Sequence, residues 1–193
     1  MSGNTTVSDD IVYGRQALQL GEPWITPKSL EYIKSIIKPD WKVFEWGSGG
    51  STAFWSRNCA KVISVEHNTE WIVRTSDIMV RLDCPQNWVL LYVRGKGIDH
   101  NSAFVGYSEA VDDYPDEYFD LVFVDGEASS RGWCLQNAMR KLKPGGIMLV
   151  DNSNWLTETP VGLTNRKDFP ETGLRWVGQP GTFDWWTSVF TKK

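Results

Sequence analysis

The chain has 193 residues, 41% apolar and 23% charged, with a formal net charge of −4. That length favours one domain with a sizeable core, and the acidic balance gives no footprint for nucleic acid. Cys59, Cys84 and Cys134 are too few and too scattered for a disulfide framework or a metal-ligand pair, and neither a signal peptide nor a membrane-spanning run is visible. The expectation is a cytoplasmic protein in a reducing compartment.

The first 25 residues read as an arm or lid ahead of a single domain over 26–193. Residues 27–38 then predict a helix: Thr26 sits at the cap position, Pro27 suits the first turn, and Leu30, Ile33, Ile36 and Ile37 form one apolar stripe. Val43 and Phe44 lead a first strand into the turn Gly47-Ser48-Gly49-Gly50, and a helix follows to about Asn58. A second strand over 62–66 ends on Glu66, and Thr69 is the expected cap of a helix through Trp71, Ile72, Ile78, Met79 and Leu82.

Residues 89–93 are apolar throughout and predict a third strand, buried as in a parallel sheet. A loop over 94–106 and a weak helix near Tyr107 lead to a fourth strand over 119–125. A helix carrying Cys134, Leu135, Ala138, Met139 and Leu142 stops before Pro144, and a fifth strand over 147–151 follows. Strands alternating with helices argue a doubly wound α/β sheet, mostly parallel. The last two strands, over 173–177 and 187–191, lie too close for a crossover helix and are expected to pair antiparallel.

Ligands of such sheets bind beyond the C-terminal strand ends. There the sequence places Glu45, Glu66, Asp125 and Asp151. Glu66 stands about twenty residues after the glycine turn, at a spacing that suits hydrogen bonds to ribose hydroxyls. Glu45 directly precedes the glycines, where its charge repels a pyrophosphate and attracts a cationic cofactor. That contrast disfavours a nicotinamide-dependent oxidoreductase and favours S-adenosylmethionine. Gly47, Ser48, Gly49, Ser51 and Thr52 form the expected cofactor cradle, with Glu66, His67 and Asp125 at its edge.

These motifs together resemble the class I S-adenosylmethionine-dependent methyltransferases. Glu45-Trp46-Gly47-Ser48-Gly49 is similar to their acid-x-Gly-x-Gly motif, Glu66 to their ribose acid, residues 119–125 to their fourth-strand motif, and Leu142-Lys143-Pro144-Gly145-Gly146 to the turn before their fifth strand. The resemblance spans residues 26–191 and implies a Rossmann-like methyltransferase fold, a seven-stranded sheet with an antiparallel C-terminal hairpin. It implies methyl transfer to a small molecule, most readily at oxygen. The alternative of a non-catalytic cofactor-binding or interaction module stays open.

Within that class, Asp125 and Asp151-Asn152 resemble the ligands of the catechol and caffeoyl-coenzyme A type O-methyltransferases, which implies a divalent ion (Mg²⁺ or Ca²⁺) and a catalytic role for all three. The lysine that subgroup carries three residues past the fourth-strand acid is Ala128 here, with Glu127 the nearest carboxylate. Arg131 is a candidate for an anionic substrate and His100 for a base. Trp24, Trp155, Trp185 and Trp186, among 11 tryptophans, lie near loops that can line an acceptor pocket. The acceptor segments are expected within 8–25, 94–106 and 155–169. No membrane or nucleic-acid partner is expected, and the sequence leaves the oligomeric state open.

Overall fold

The computed structural model describes residues 9–94, 105–155, 171–177 and 185–193. Its sheet has seven strands in the order β3-β2-β1-β4-β5-β7-β6. They are β1 (Lys42–Trp46), β2 (Lys61–Glu66), β3 (Trp88–Tyr92), β4 (Phe119–Val124), β5 (Leu142–Val150), β6 (Glu171–Val177) and β7 (Trp186–Thr191). The first five pair in parallel, while β7 runs antiparallel to β5 and β6 to β7, as the short tail connection requires.

Alternation along the central strands sends side chains to two cores. On one face Val43, Leu121, Phe123 and Leu149 meet α2 (Pro27–Ile36) and α3 (Gly50–Asn58), through Ile33, Phe54 and Trp55. On the other, Phe44, Trp46, Val122 and Val150 pack against Tyr107 of α5 (Val105–Glu109) and Cys134, Leu135 and Ala138 of α6 (Arg131–Ala138). Trp46 and Trp55 are wholly buried, one in each core. The chain changes face between α4 (Thr69–Arg81) and α5, so β1 and β4 lie side by side while their loops leave in opposite directions. That divergence opens the crevice of a doubly wound fold.

Several expectations shift. The segment read as an arm contains α1 (Asp9–Leu20). Its last carbonyls accept hydrogen bonds from Arg57 and Arg81: Nη2 of Arg57 reaches Leu20 O and Gly21 O at 3.0 and 2.5 Å, and Arg81 reaches Gln19 O and Leu18 O at 2.8 and 3.1 Å. These cations satisfy carbonyls that a helix end leaves orphaned. The helix over 27–38 ends at Ile36, two residues early, ahead of Pro39. Asn68, not Thr69, caps α4, its Oδ1 accepting from Glu70 N at 2.9 Å.

Strand β3 is apolar but lies at the sheet edge, so Val89 and Tyr92 are 42% and 50% exposed. The helix expected to run to Leu142 ends at Ala138, and Leu142 already belongs to β5. Among the described residues, no helix is long and apolar enough to cross a membrane.

Candidate functional site

The loops after β1 and β4 touch at two glycines. Gly47 has φ +92°, and a Cβ on it would stand 3.0 Å from Gly126 Cα and N; a Cβ on Gly126 would stand 1.8 Å from the Tyr107 hydroxyl. Only residues without a side chain allow so close an approach. Gly47 N also donates to Val65 O at 2.8 Å and Asp125 N to Trp46 O at 3.0 Å, which carries the strand ladder into the loops.

Glu45 lies beneath this turn. It is wholly buried, and its carboxylate accepts from Thr52 Oγ1, Ser64 Oγ and Trp55 Nε1 at 2.5, 2.5 and 3.0 Å. Thr52 Oγ1 in turn accepts from Gly49 N at 3.1 Å, so the acid shapes the glycine turn from below. Desolvation raises the Glu45 pKa from 4.5 to about 7, against the opposing hydrogen bonds. Thr52 is equally buried, and the two side chains meet between β1 and α3.

Glu66 ends β2 where predicted. Its Oε2 accepts from Ser48 N and Oγ at 2.9 and 3.1 Å, and Oε1 from the backbone N–H of His67 and Asn68, both at 2.8 Å. Desolvation would raise its pKa, but these donors, with the His67 side chain, hold it below the usual carboxylate range. The His67 Nδ1 stands 3.3 Å from Glu66 Oε1, and its ring meets Tyr107 edge-on at 5.5 Å. Gly47 and Ser48 remain partly exposed above this acid, while Gly49 and Ser51 are buried at the start of α3.

The fourth-strand acid faces an arginine. Asp125 is 31% exposed along its side chain and Arg131 only 6%. Nη2 of Arg131 donates to Asp125 O and Oδ1 at 2.7 and 3.3 Å and to Gly126 O at 3.0 Å; its Nε reaches Gly126 O at 3.2 Å. Nη1 donates to Asp151 O and to Asn152 Oδ1, the latter at 3.1 Å. Desolvation and the Asp151 charge push the Asp125 pKa well up, with Arg131 opposing and Glu45 and Glu66 adding to the rise. Glu45, Glu66 and Asp151 thus all act on Asp125 by charge at the strand ends.

The implied metal ligands do not fit an ion. The guanidinium already stands against Asp125 Oδ1 and Asn152 Oδ1, two of the oxygens that would coordinate it, and brings its own positive charge there. Asp151 is buried, and its Oδ1 accepts from Trp185 Nε1 and Thr187 Oγ1 at 3.0 and 2.7 Å, tying β5 to β7. Desolvation raises the Asp151 pKa, with Thr187, Arg131 and Trp185 opposing. Asn152 turns the chain with φ +46°, a conformation asparagine tolerates. Asp151 Oδ1 is thus engaged by the protein, while Asp125 and Asn152 stay partly exposed. Arg131 is neither a surface charge nor open to an anionic substrate, because its fork is spent on the protein.

The lysine position, Ala128, opens a 3-10 turn (Ala128–Ser130) that Glu127 caps, accepting from Ser130 N at 2.9 Å and Ser129 Oγ at 2.6 Å. Glu127 thus caps instead of substituting for the lysine. Trp24 is 40% exposed and lies over Gly14 of α1. Trp185 and Thr187 were not legible as partners of Asp151, because they approach from a strand more than thirty residues away. His100 and residues 156–169 lie outside the described residues.

A family model described as a methyltransferase domain matches residues 44–153. No curated protein matches the chain significantly in sequence. Among solved structures, the O-methyltransferase TomG of Streptomyces achromogenes, in complex with S-adenosylmethionine, aligns with TM-score 0.68 at 15% identity, covering 99% of this chain and 93% of that one. An rRNA methylase of Streptococcus thermophilus gives 0.61 at 16%, covering 86% and 94%. A precorrin 8W decarboxylase of Methanobacterium thermoautotrophicum gives 0.59 at 18%, covering 86% and 90%. Likenesses this distant establish the fold, and the different reactions in these names leave the acceptor unread.

Proposed function

Because the chain belongs to the methyltransferase-domain family that its residues 44–153 match, we propose that it transfers a methyl group from S-adenosylmethionine to a hydroxyl oxygen of a small acceptor. The observation that carries this reading is the grouping of Glu66, Asp125, Asp151 and, beneath the turn, Glu45, near enough for the other three to act on Asp125 by charge, beside the touching glycines Gly47 and Gly126. Such a field suits a cofactor with a sulfonium and an ammonium group and opposes a pyrophosphate.

Gly47, Ser48 and Gly49 would hold the cofactor, with Glu66 at its ribose and His67 near its edge. Since all four acceptor directions of Glu66 already meet donors, a ribose hydroxyl would have to replace one of them, and the Ser48 hydroxyl can rotate away. Asp125 and Asn152 face the acceptor. When bound, the cofactor would supply a sulfonium methyl whose bond to sulfur breaks as one to the acceptor oxygen forms, and Asp125, the partly exposed acid there, would take the hydroxyl proton. Alignment of acceptor and donor supplies much of the acceleration, because the sulfonium is already a good leaving group.

The O-methyltransferase among the solved neighbours supports oxygen as the acceptor atom, and the net charge of −4 favours a small molecule over a nucleic acid. Calorimetry with S-adenosylmethionine and with S-adenosylhomocysteine tests the cofactor: saturable binding of both is expected. A folded protein that binds neither at millimolar ligand overturns the proposal.

A further inference from the structure

We propose that the Arg131 guanidinium is a built-in cation standing where a divalent ion would have to sit between the ends of β4 and β5, so that this site works without a metal. The inference deepens the methyl-transfer reading and rests on it only for its catalytic consequence. Arg131 heads α6, in the first turn after the 3-10 segment, and is 5% exposed. Its donors meet oxygens of Asp125, Gly126, Asp151 and Asn152. An arginine has five N–H donors in a planar fork and stays charged at any ordinary pH. Six contacts on five donors leave it fully committed.

The oxygens around it are hard donors of the kind that hold Mg²⁺ or Ca²⁺, and the cation they hold is covalently part of the chain. Two consequences follow. A single delocalised charge is no Lewis acid, so Arg131 cannot lower the pKa of a bound hydroxyl as a divalent ion does. The guanidinium also has no open coordination position, so two adjacent oxygens of an acceptor have nothing to chelate. The acceptor class that fits is one recognised by hydrogen bonds to Asp125 and Asn152. Arg131 is a positioning residue, which fixes the Asp125 carboxylate and the Asp151-Asn152 turn.

Mn²⁺ titration of the unliganded protein, followed by electron paramagnetic resonance of the free ion, tests this together with thermal melting. The wild-type protein is expected to show no saturable Mn²⁺ binding that depends on Asp125. Arg131→Met, which empties the fork, is expected to gain saturable binding and a melting temperature that rises with Mn²⁺. Arg131→Lys keeps one charge and is expected to fold and to ignore Mn²⁺, which leaves a readable variant if Arg131→Met does not fold. Wild-type Mn²⁺ binding abolished by Asp125→Asn overturns the proposal. So does an Arg131→Met protein with wild-type melting and no response to Mn²⁺, or an Arg131→Lys protein that Mn²⁺ stabilises. None of these readouts involves methyl transfer, so a protein inert towards S-adenosylmethionine still decides the question.

Discussion

The sharpest consequence of the buried acid beneath the glycine turn is a pH dependence of stability that Glu45→Gln should remove. The native state holds the Glu45 proton more tightly than the unfolded chain, with a pKa of about 7 against an ordinary 4.5. The stabilisation from that proton is therefore complete below pH 4.5 and is lost as pH rises through 7. At roughly 1.4 kcal/mol per pH unit, the span amounts to about 3 kcal/mol.

Glutamine keeps the shape but not the chemistry. Its carbonyl can accept from Thr52 and Ser64, but its amide then faces the Trp55 N–H, donor against donor. That mismatch costs about 1–3 kcal/mol and is independent of pH. Urea unfolding of both proteins from pH 4.5 to 8 isolates the effect, because the acids common to both cancel in the difference. The variant is expected to be the less stable at low pH, and the gap should narrow as pH rises. A difference flat in pH would refute the reasoning, since it would mean that Glu45 titrates alike in the folded and unfolded states.

Gly126→Ala places a Cβ against the Tyr107 hydroxyl and the Gly47 amide; it is expected to cost about 1–3 kcal/mol in thermal melting and to weaken S-adenosylmethionine in calorimetry, and unchanged melting would count against the close packing. Glu66→Gln removes a carboxylate that collects four donors, so cofactor affinity should fall about tenfold or more; unchanged affinity would place the ribose elsewhere. Arg57→Ala with Arg81→Ala frees the carbonyls at the end of α1, and hydrogen exchange should quicken over residues 9–21 while the sheet stays protected. A cation bound above Glu45 favours its ionised form, so cofactor binding near pH 7 should release up to about half a proton. Calorimetry in buffers of different ionisation enthalpy reads that release, which should shrink in Glu45→Gln, the remainder coming from Asp125 and Asp151, whose pKa values are also raised.

The parallel core was legible because each strand is a short apolar run closed by an acid or a turn, a pattern that local chemistry largely determines. What the sequence could not show depends on residues far along the chain. Helix α1 carries Gly14 at its middle and no clean apolar stripe. That glycine is needed because the Trp24 ring would lie 2.6 Å from a Cβ there. Strand β3 reads as central from composition, yet burial depends on a neighbour beyond it, and the sheet order provides none. Asn68 and Thr69 are both cap-forming types, and the backbone decided between them: Asn68 is extended at φ −102° and ψ 116° and so can bend its side chain to Glu70 N.

At the site, the letters of a motif and its chemistry part company. Asp125, Asp151 and Asn152 sit at the strand ends that the resemblance implied, but a residue six positions past Asp125 and two from the β7 region, Trp185 ahead of the strand and Thr187 on it, set their hydrogen bonds. Arg131 sits beside Asp125 because the capped turn over Ala128–Ser130 delivers the first residue of α6 back across the strand end. The same turn puts alanine where a lysine base would be expected. The alanine and the internal cation thus lie in one short stretch of chain. With Arg131 in the cation position, the partly exposed Asp125 and Asn152 are the groups proposed to meet the acceptor.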